Sequence, residues 1–163
     1  MWRPRPGRLR QFEYRGCYRY FLTLCTADRH PAFVEPPTVS ETLSLLRTFS
    51  AEERFAIFAY CFMPDHLHLV LAGMAGDSSL PHFISRFKQA SGFRHRQKTG
   101  QPLWQSGYFD RVLRDEESTL ATCRYVLGNP VRAGLADVIG EYPHAGSDVC
   151  RVEDIAGQAV SQD

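Results

Sequence analysis

The sequence predicts an α+β domain: an antiparallel sheet with helices packed on one face. Three observations carry this. Segments rich in aromatic and β-branched residues are interleaved with segments whose apolar residues recur at helical spacing. Two of the strand-like segments are separated only by a Pro-Asp turn, which makes them a hairpin. The resulting order, β-α-β-β-α-β and then one more helix, matches the split βαβ, ferredoxin-like pattern in its first six elements.

Taken in order, residues 18–26 (Tyr-Arg-Tyr-Phe-Leu-Thr-Leu-Cys-Thr) read as the first strand. A loop with Pro31 and Pro36-Pro37 follows. Residues 38–49 place Val39, Leu43, Leu46 and Phe49 near helical spacing, with Thr38 or Ser40 as the cap. Residues 55–62 form a second apolar strand, Met63-Pro64-Asp65 the turn, and residues 66–71 the third strand. Residues 80–97 carry Leu80, Phe83, Ile84, Phe87 and Ala90 as the stripe of a long amphipathic helix. Residues 103–113 contain a fourth strand, interrupted near Ser106-Gly107. Asp115 caps a last helix with Glu116 and Glu117 in its first turn. That helix is expected to end at Asn129-Pro130, because a residue before proline avoids the helical region.

The chain has 163 residues, enough for one domain with a core. No apolar run approaches the roughly 20 residues of a membrane span, and the basic start lacks the features of a signal peptide. A cytoplasmic, soluble protein is expected, associated with the nucleoid if its partner is DNA. Cys17, Cys25, Cys61, Cys123 and Cys150 are scattered without a C-x-x-C pair, which argues for reduced thiols rather than a zinc knuckle or a disulfide framework. The net charge of +1 hides an uneven distribution. Arg3, Arg5, Arg8, Arg10, Arg15 and Arg19 face only Glu13 at the start. Residues 86–114 are again basic, and the end is acidic. This suggests a polyanionic partner. The expected organisation is a basic arm over residues 1–11, one domain over 12–145, and an acidic tail over 146–163, with both ends mobile.

Three features carry chemistry. His66 and His68 lie two apart on a strand, so both rings face one side with Cα atoms about 6.5 Å apart. Such a pair either holds one divalent ion with positions left open for substrate oxygens or is simply two solvated histidines. Tyr125 and Asn129, four apart, share a helix face. A tyrosine hydroxyl can attack phosphorus and conserve the energy of the broken phosphodiester in a phosphotyrosine. The chain has seven tyrosines, and this chemistry does not select among them. Finally, the basic run from Lys88 to Lys98, followed by Trp104 and Tyr108, mixes cations with aromatic rings as single-strand binding requires, although several of these rings also suit a core.

The run Ala59-Tyr60-Cys61-Phe62-Met63-Pro64-Asp65-His66-Leu67-His68-Leu69-Val70-Leu71 resembles the His-hydrophobe-His (HUH) motif of single-tyrosine transposases. Residues 103–114 resemble their next block, and residues 125–135 (Tyr-Val-Leu-Gly-Asn-Pro-Val-Arg-Ala-Gly-Leu) the block that holds the nucleophile. Together, over roughly residues 12–145, they resemble the REP-associated tyrosine transposases. The resemblance implies the HUH endonuclease fold with an extra C-terminal helix carrying Tyr125 as nucleophile, and His66 and His68 as metal ligands. Asn129 stands where relatives carry a third polar ligand, often Gln. The implied ion is Mg²⁺ or Mn²⁺, and imidazole ligands suit Mn²⁺ better; no ATP is required. The implied activity is DNA transposition: nicking and rejoining of single-stranded DNA beside hairpins, through a 5′-phosphotyrosine and a free 3′-hydroxyl. Arg86, Lys88, Arg94, Arg96, Lys98 and Arg111 are the expected phosphate contacts. A domesticated hairpin-DNA-binding protein without transposition activity and an RNA-binding module are the competing readings. The chain could act as a monomer or a homodimer, with Tyr125 serving its own histidines or a partner's.

Overall fold

The computed structural model describes residues 11–157; almost all of the basic arm (residues 1–10) and residues 158–163 lie outside the described residues. The elements are β1 (Arg19–Cys25), α1 (Pro36–Glu52), β2 (Phe55–Met63), β3 (His66–Gly73), α2 (Leu80–Thr99), β4 (Phe109–Leu113), α3 (Glu116–Arg132), β5 (Ala145–Gly146) and α4 (Val152–Ala156). The five strands form one sheet in the order β4-β1-β3-β2-β5, each antiparallel to its neighbours. The first six elements thus realise the split βαβ pattern.

The sheet is covered on both faces. On one, Tyr20, Leu22 and Leu24 of β1 and Leu67, Leu69 and Leu71 of β3 pack against α1 and α2. On the other, Phe21, Ala59, Cys61 and Val70 pack against Cys123, Val126 and Leu127 of α3 and Ile155 of α4. Helices on a single face therefore describe α1 and α2 only. The cause is visible in β3, which is apolar from Leu69 to Ala72 and buried on both sides. A strand without polar alternation needs two covers. In β2 the pairing register shifts between Ile57 and Ala59, so Phe58 and Ala59 both turn toward α3 and the inward and outward sets exchange beyond them. Leu69 is fully buried in the central strand. Leu69→Ala is expected to cost about 2–5 kcal/mol, read as a lower urea midpoint at unchanged slope.

Two local expectations change. Glu35 occupies the N-cap position of α1 without a side-chain cap hydrogen bond, and Pro36-Pro37 open the helix rather than precede it. Proline suits the first helical turn because its missing N–H would be unpaired there anyway. The fourth strand is interrupted around Ser106-Gly107, as expected: Trp104 makes an isolated bridge to Thr26, and β4 proper begins at Phe109. Asp115 does cap α3, its Oδ1 accepting from Ser118 N at 2.6 Å. However, α3 does not stop before Pro130 but runs through it to Arg132. Burial of Val126, Leu127 and Pro130 against the sheet outweighs the hydrogen bond that proline removes, a loss of roughly 3 kcal/mol when uncompensated.

The acidic segment after residue 145 is also partly built into the domain. β5 pairs Gly146 with Tyr60, Arg47 Nη2 meets Asp148 Oδ1 at 2.8 Å, and Ile155 is buried under α3.

Candidate active site

Strand alternation puts His66, His68 and Val70 on the face that α3 covers. The ladder brings Thr23 of β1 and Cys61 of β2 directly opposite His68, and Met63 opposite His66. The pair sits where β3 leaves the Pro64-Asp65 turn. There Asp65 Oδ1 accepts from His66 Nδ1 at 2.7 Å, and Arg29 Nε donates to Asp65 Oδ2 at 2.9 Å. The Thr23 hydroxyl is 2.9 Å from His68 Nδ1. Each ring is therefore fixed through Nδ1, and the two Nε2 atoms face each other at 3.2 Å.

Electrostatics keeps both rings neutral. Burial pushes His66 below the usual imidazole range, against the pull of Asp65. Burial, reinforced by the Arg132 charge and by the repulsion that a protonated His66 would add, pushes His68 down to about 3. Asp65 stays a carboxylate, its pKa lowered by hydrogen bonds from His66 and Arg29 that outweigh its own burial.

The pair fits a divalent ion. Two nitrogens at 3.2 Å, each about 2.1 Å from one ion, subtend about 100° there, between octahedral and tetrahedral angles. The Asp65–His66 contact is the carboxylate–histidine arrangement that orients metal-binding imidazoles and raises their basicity. Among the described residues no third His, Cys, Asp or Glu joins the group. Positions left open on such an ion would be available to substrate oxygens. Asn129 is half-buried one turn beyond Tyr125 on α3. Thr23→Val, which keeps the shape and removes the hydroxyl, is expected to weaken Mn²⁺ binding about 10- to 100-fold, read by titration calorimetry; unchanged affinity would remove Thr23 from the site.

α3 brings Tyr125 to the same place. Its ring centroid is 6.3 Å from that of His68 and 6.1 Å from Phe21, which it meets edge to face. The ring is half exposed. The Arg132 guanidinium carbon stands 4.2 Å from the ring centroid.

Of the six expected phosphate contacts, only Arg111 lies on this face, 3.3 Å from Thr122 Oγ1 and 5.6 Å from the Phe21 ring. The other five are on α2, across the sheet. Arg86 pairs with Glu52 and Glu53, and Arg94 and Lys98 pair with Glu41. Lys88 donates to the carbonyls of Gln105 and Gly107, both at 2.8 Å. Arg96 lines a groove beside Phe93 and Trp104. Charge counted along the sequence does not see the carboxylates that α1 brings alongside. Conversely, Arg29, Thr23 and Arg132 escaped notice. Only Arg132 carried a signal, its place in the Asn129-Pro130-Val131-Arg132 run.

The family model described as "Transposase IS200 like" matches residues 16–129. The chain belongs to the IS200-like transposase family. This IS200-like transposase is 24% identical over 137 residues to a Haemophilus influenzae protein named as a candidate REP-associated tyrosine transposase, covering 77% of each chain. It is also 23% identical over 155 residues to an uncharacterised protein of the same organism, covering 76% of this chain and 86% of that one. Its fold superposes with a TM-score of 0.71 on a REP-associated tyrosine transposase solved bound to a REP hairpin, at 17% identity over 85% of this chain and 81% of that one. A candidate transposase from Deinococcus radiodurans gives a TM-score of 0.51 at 25% identity, over 79% of this chain and 97% of that one. An IS200-like transposase is a DNA-binding, DNA-processing enzyme. No helix among the described residues of this one is long and apolar enough to cross a membrane.

Proposed function

We propose that this transposase nicks and rejoins single-stranded DNA beside hairpins, with Tyr125 as the nucleophile and a divalent ion on His66 and His68. The observation that carries the reading is the meeting of Tyr125 and His68 of one chain on one face, ring centroids 6.3 Å apart. The hairpin as partner is supported by the relative solved on a REP hairpin.

The half-exposed Tyr125 Oη can reach a phosphate that solvent also reaches. Its oxygen attacks phosphorus, and the bond from phosphorus to the 3′ oxygen breaks. The phenolic proton leaves to solvent and the 3′ oxygen takes up a proton. The products are a 5′-phosphotyrosine and a free 3′-hydroxyl. One phosphodiester replaces another, so the reverse attack by a 3′-hydroxyl rejoins strands without ATP. Mg²⁺ or Mn²⁺, when bound, supplies Lewis-acid neutralisation of the phosphate charge. Asp65 and Thr23 hold the imidazoles in orientation, and Asn129, one turn beyond Tyr125 on α3, would add an amide oxygen. Arg111, exposed on the same face, and Arg29, beside Asp65, offer cations to flanking phosphates.

The test is incubation of the protein with a labelled hairpin oligonucleotide carrying single-stranded flanks, with and without Mn²⁺. A denaturant-resistant protein–DNA adduct that requires the metal is expected. Tight hairpin binding with no adduct on any substrate would favour a domesticated DNA-binding protein, and preference for RNA would favour the RNA-binding module. Because both halves of the site come from one chain, mixing Tyr125→Phe protein with His66→Ala protein is expected to restore no adduct. Restoration would place the tyrosine of one protomer in the site of another.

A further inference from the structure

The tyrosine block contains two residues to which the proposed reaction assigns no task, Gly128 and Arg132. Arg132 follows Tyr125 by two helical turns, near the end of α3. Among the described residues it pairs with no carboxylate. Its side chain runs back along the helix, as long helical side chains do, and passes over Gly128. The guanidinium lies on the Tyr125 ring, 4.2 Å from the centroid, and Nη2 donates to the Tyr125 carbonyl at 2.5 Å.

Gly128 leaves that path clear. A Cβ built there would stand 3.0 Å from Arg132 Nη1. The Gly128 backbone lies outside the left-handed region that favours glycine, so its conformation would admit any residue. Glycine inside a helix is otherwise unfavourable. What it provides here is space.

Tyr125 needs such a support. It is half exposed, and its hydroxyl makes no hydrogen bond to a described residue. Phe21 touches the ring edge to face from the sheet side, and Arg132 lies over the ring. An unbonded hydroxyl on a confined ring is what an attacking group requires: the oxygen stays available while its direction is set. A planar guanidinium can stack on the ring and donate to the carbonyl at once, whereas an ammonium cannot do both in this geometry.

We propose that Arg132 is a positioning residue for Tyr125, clamping the ring so that its hydroxyl faces the histidine pair, and that Gly128 is the opening through which the guanidinium reaches it. This rests on Tyr125 being the nucleophile.

The experiment compares Arg132→Gln, Arg132→Lys, Gly128→Ala and the Arg132→Gln/Gly128→Ala double variant in single-turnover adduct formation on the hairpin oligonucleotide with Mn²⁺. Each single variant is expected to slow adduct formation about 10- to 100-fold, with hairpin affinity within about threefold. Arg132→Lys falls nearer to Gln than to the parent. Gly128→Ala leaves the charge in place and favours the helix, so a slow rate at undiminished thermal stability separates misplacement of the ring from misfolding. The double variant is expected to be no slower than Arg132→Gln, since both remove one interaction. Parent-like rates in Arg132→Gln or Gly128→Ala, losses confined to hairpin affinity, or multiplicative effects in the double variant would overturn the proposal.

The clamp is also read without DNA. With 3-fluorotyrosine at position 125, the ¹⁹F resonance is expected to shift and narrow in both single variants as the ring is released. An unmoved resonance overturns the clamp. A protein that forms no adduct while its resonance shifts as expected overturns the nucleophile assignment alone.

Discussion

Replacing Tyr125 with Phe is expected to abolish the covalent protein–DNA adduct while leaving hairpin affinity and stability unchanged. The substitution removes one oxygen and keeps the ring. The contacts with Phe21, His68 and Arg132 are ring contacts and survive. The lost hydroxyl has no hydrogen-bond partner among the described residues and sits at the surface, so the stability change should stay within about 0.5 kcal/mol. The adduct cannot form at all, because the bond that defines it joins phosphorus to that oxygen. Denaturing gels read the adduct, and binding isotherms on the same oligonucleotide read affinity. An adduct of undiminished yield would move the nucleophile to another tyrosine. Buried Tyr20, whose hydroxyl is pushed well above the usual phenol range by burial, is a poor substitute.

His68→Ala is expected to be nearly as severe, for a different reason. It removes one of the two nitrogens that converge at 3.2 Å. It also leaves Thr23 without its imidazole partner on a face that is otherwise packed. At Mn²⁺ about 100-fold above its dissociation constant, the intact pair should stabilise the fold by about 2.7 kcal/mol, which appears as a rise in the melting temperature. In His68→Ala that rise should vanish, and metal-dependent adduct formation should fall by about 100-fold or more. Because His68 also touches the Tyr125 ring, His66→Ala is the necessary companion, its partners being Asp65 and His68. Equal loss of the metal-induced shift in both variants supports a shared ion. A shift that persists in both would show that the ion, if any, binds elsewhere.

Much of this was legible in one dimension. The alternation of apolar residues and the Pro64-Asp65 turn specified the hairpin that carries His66 and His68. Local chemistry also specified the Asp115 cap of α3. What failed was local as well. Pro130 reads as a helix stop, because a sequence rule about the residue before proline cannot weigh the burial that Val126 and Leu127 contribute. The α2 cations read as a free basic stripe, because Glu41, Glu52 and Glu53 lie far upstream and reach α2 only through helix packing.

The sequence by itself determined the strand and helix order, the shared facing of the two histidines, and the family to which the blocks point. The first two depend on period and turn chemistry, properties of neighbours in the chain, and the third on the resemblance of the blocks. Tertiary structure alone decided that α3 covers the second face of the sheet, and so that Tyr125 reaches the histidines of its own chain. It also decided that Thr23, from a different strand, holds the His68 imidazole. Those contacts depend on where a twisted sheet and a docked helix bring distant residues. Thr23 lies opposite His68 through antiparallel register, and Tyr125 lies beside it because Cys123, Val126 and Leu127 bury the adjoining face of α3 on the sheet.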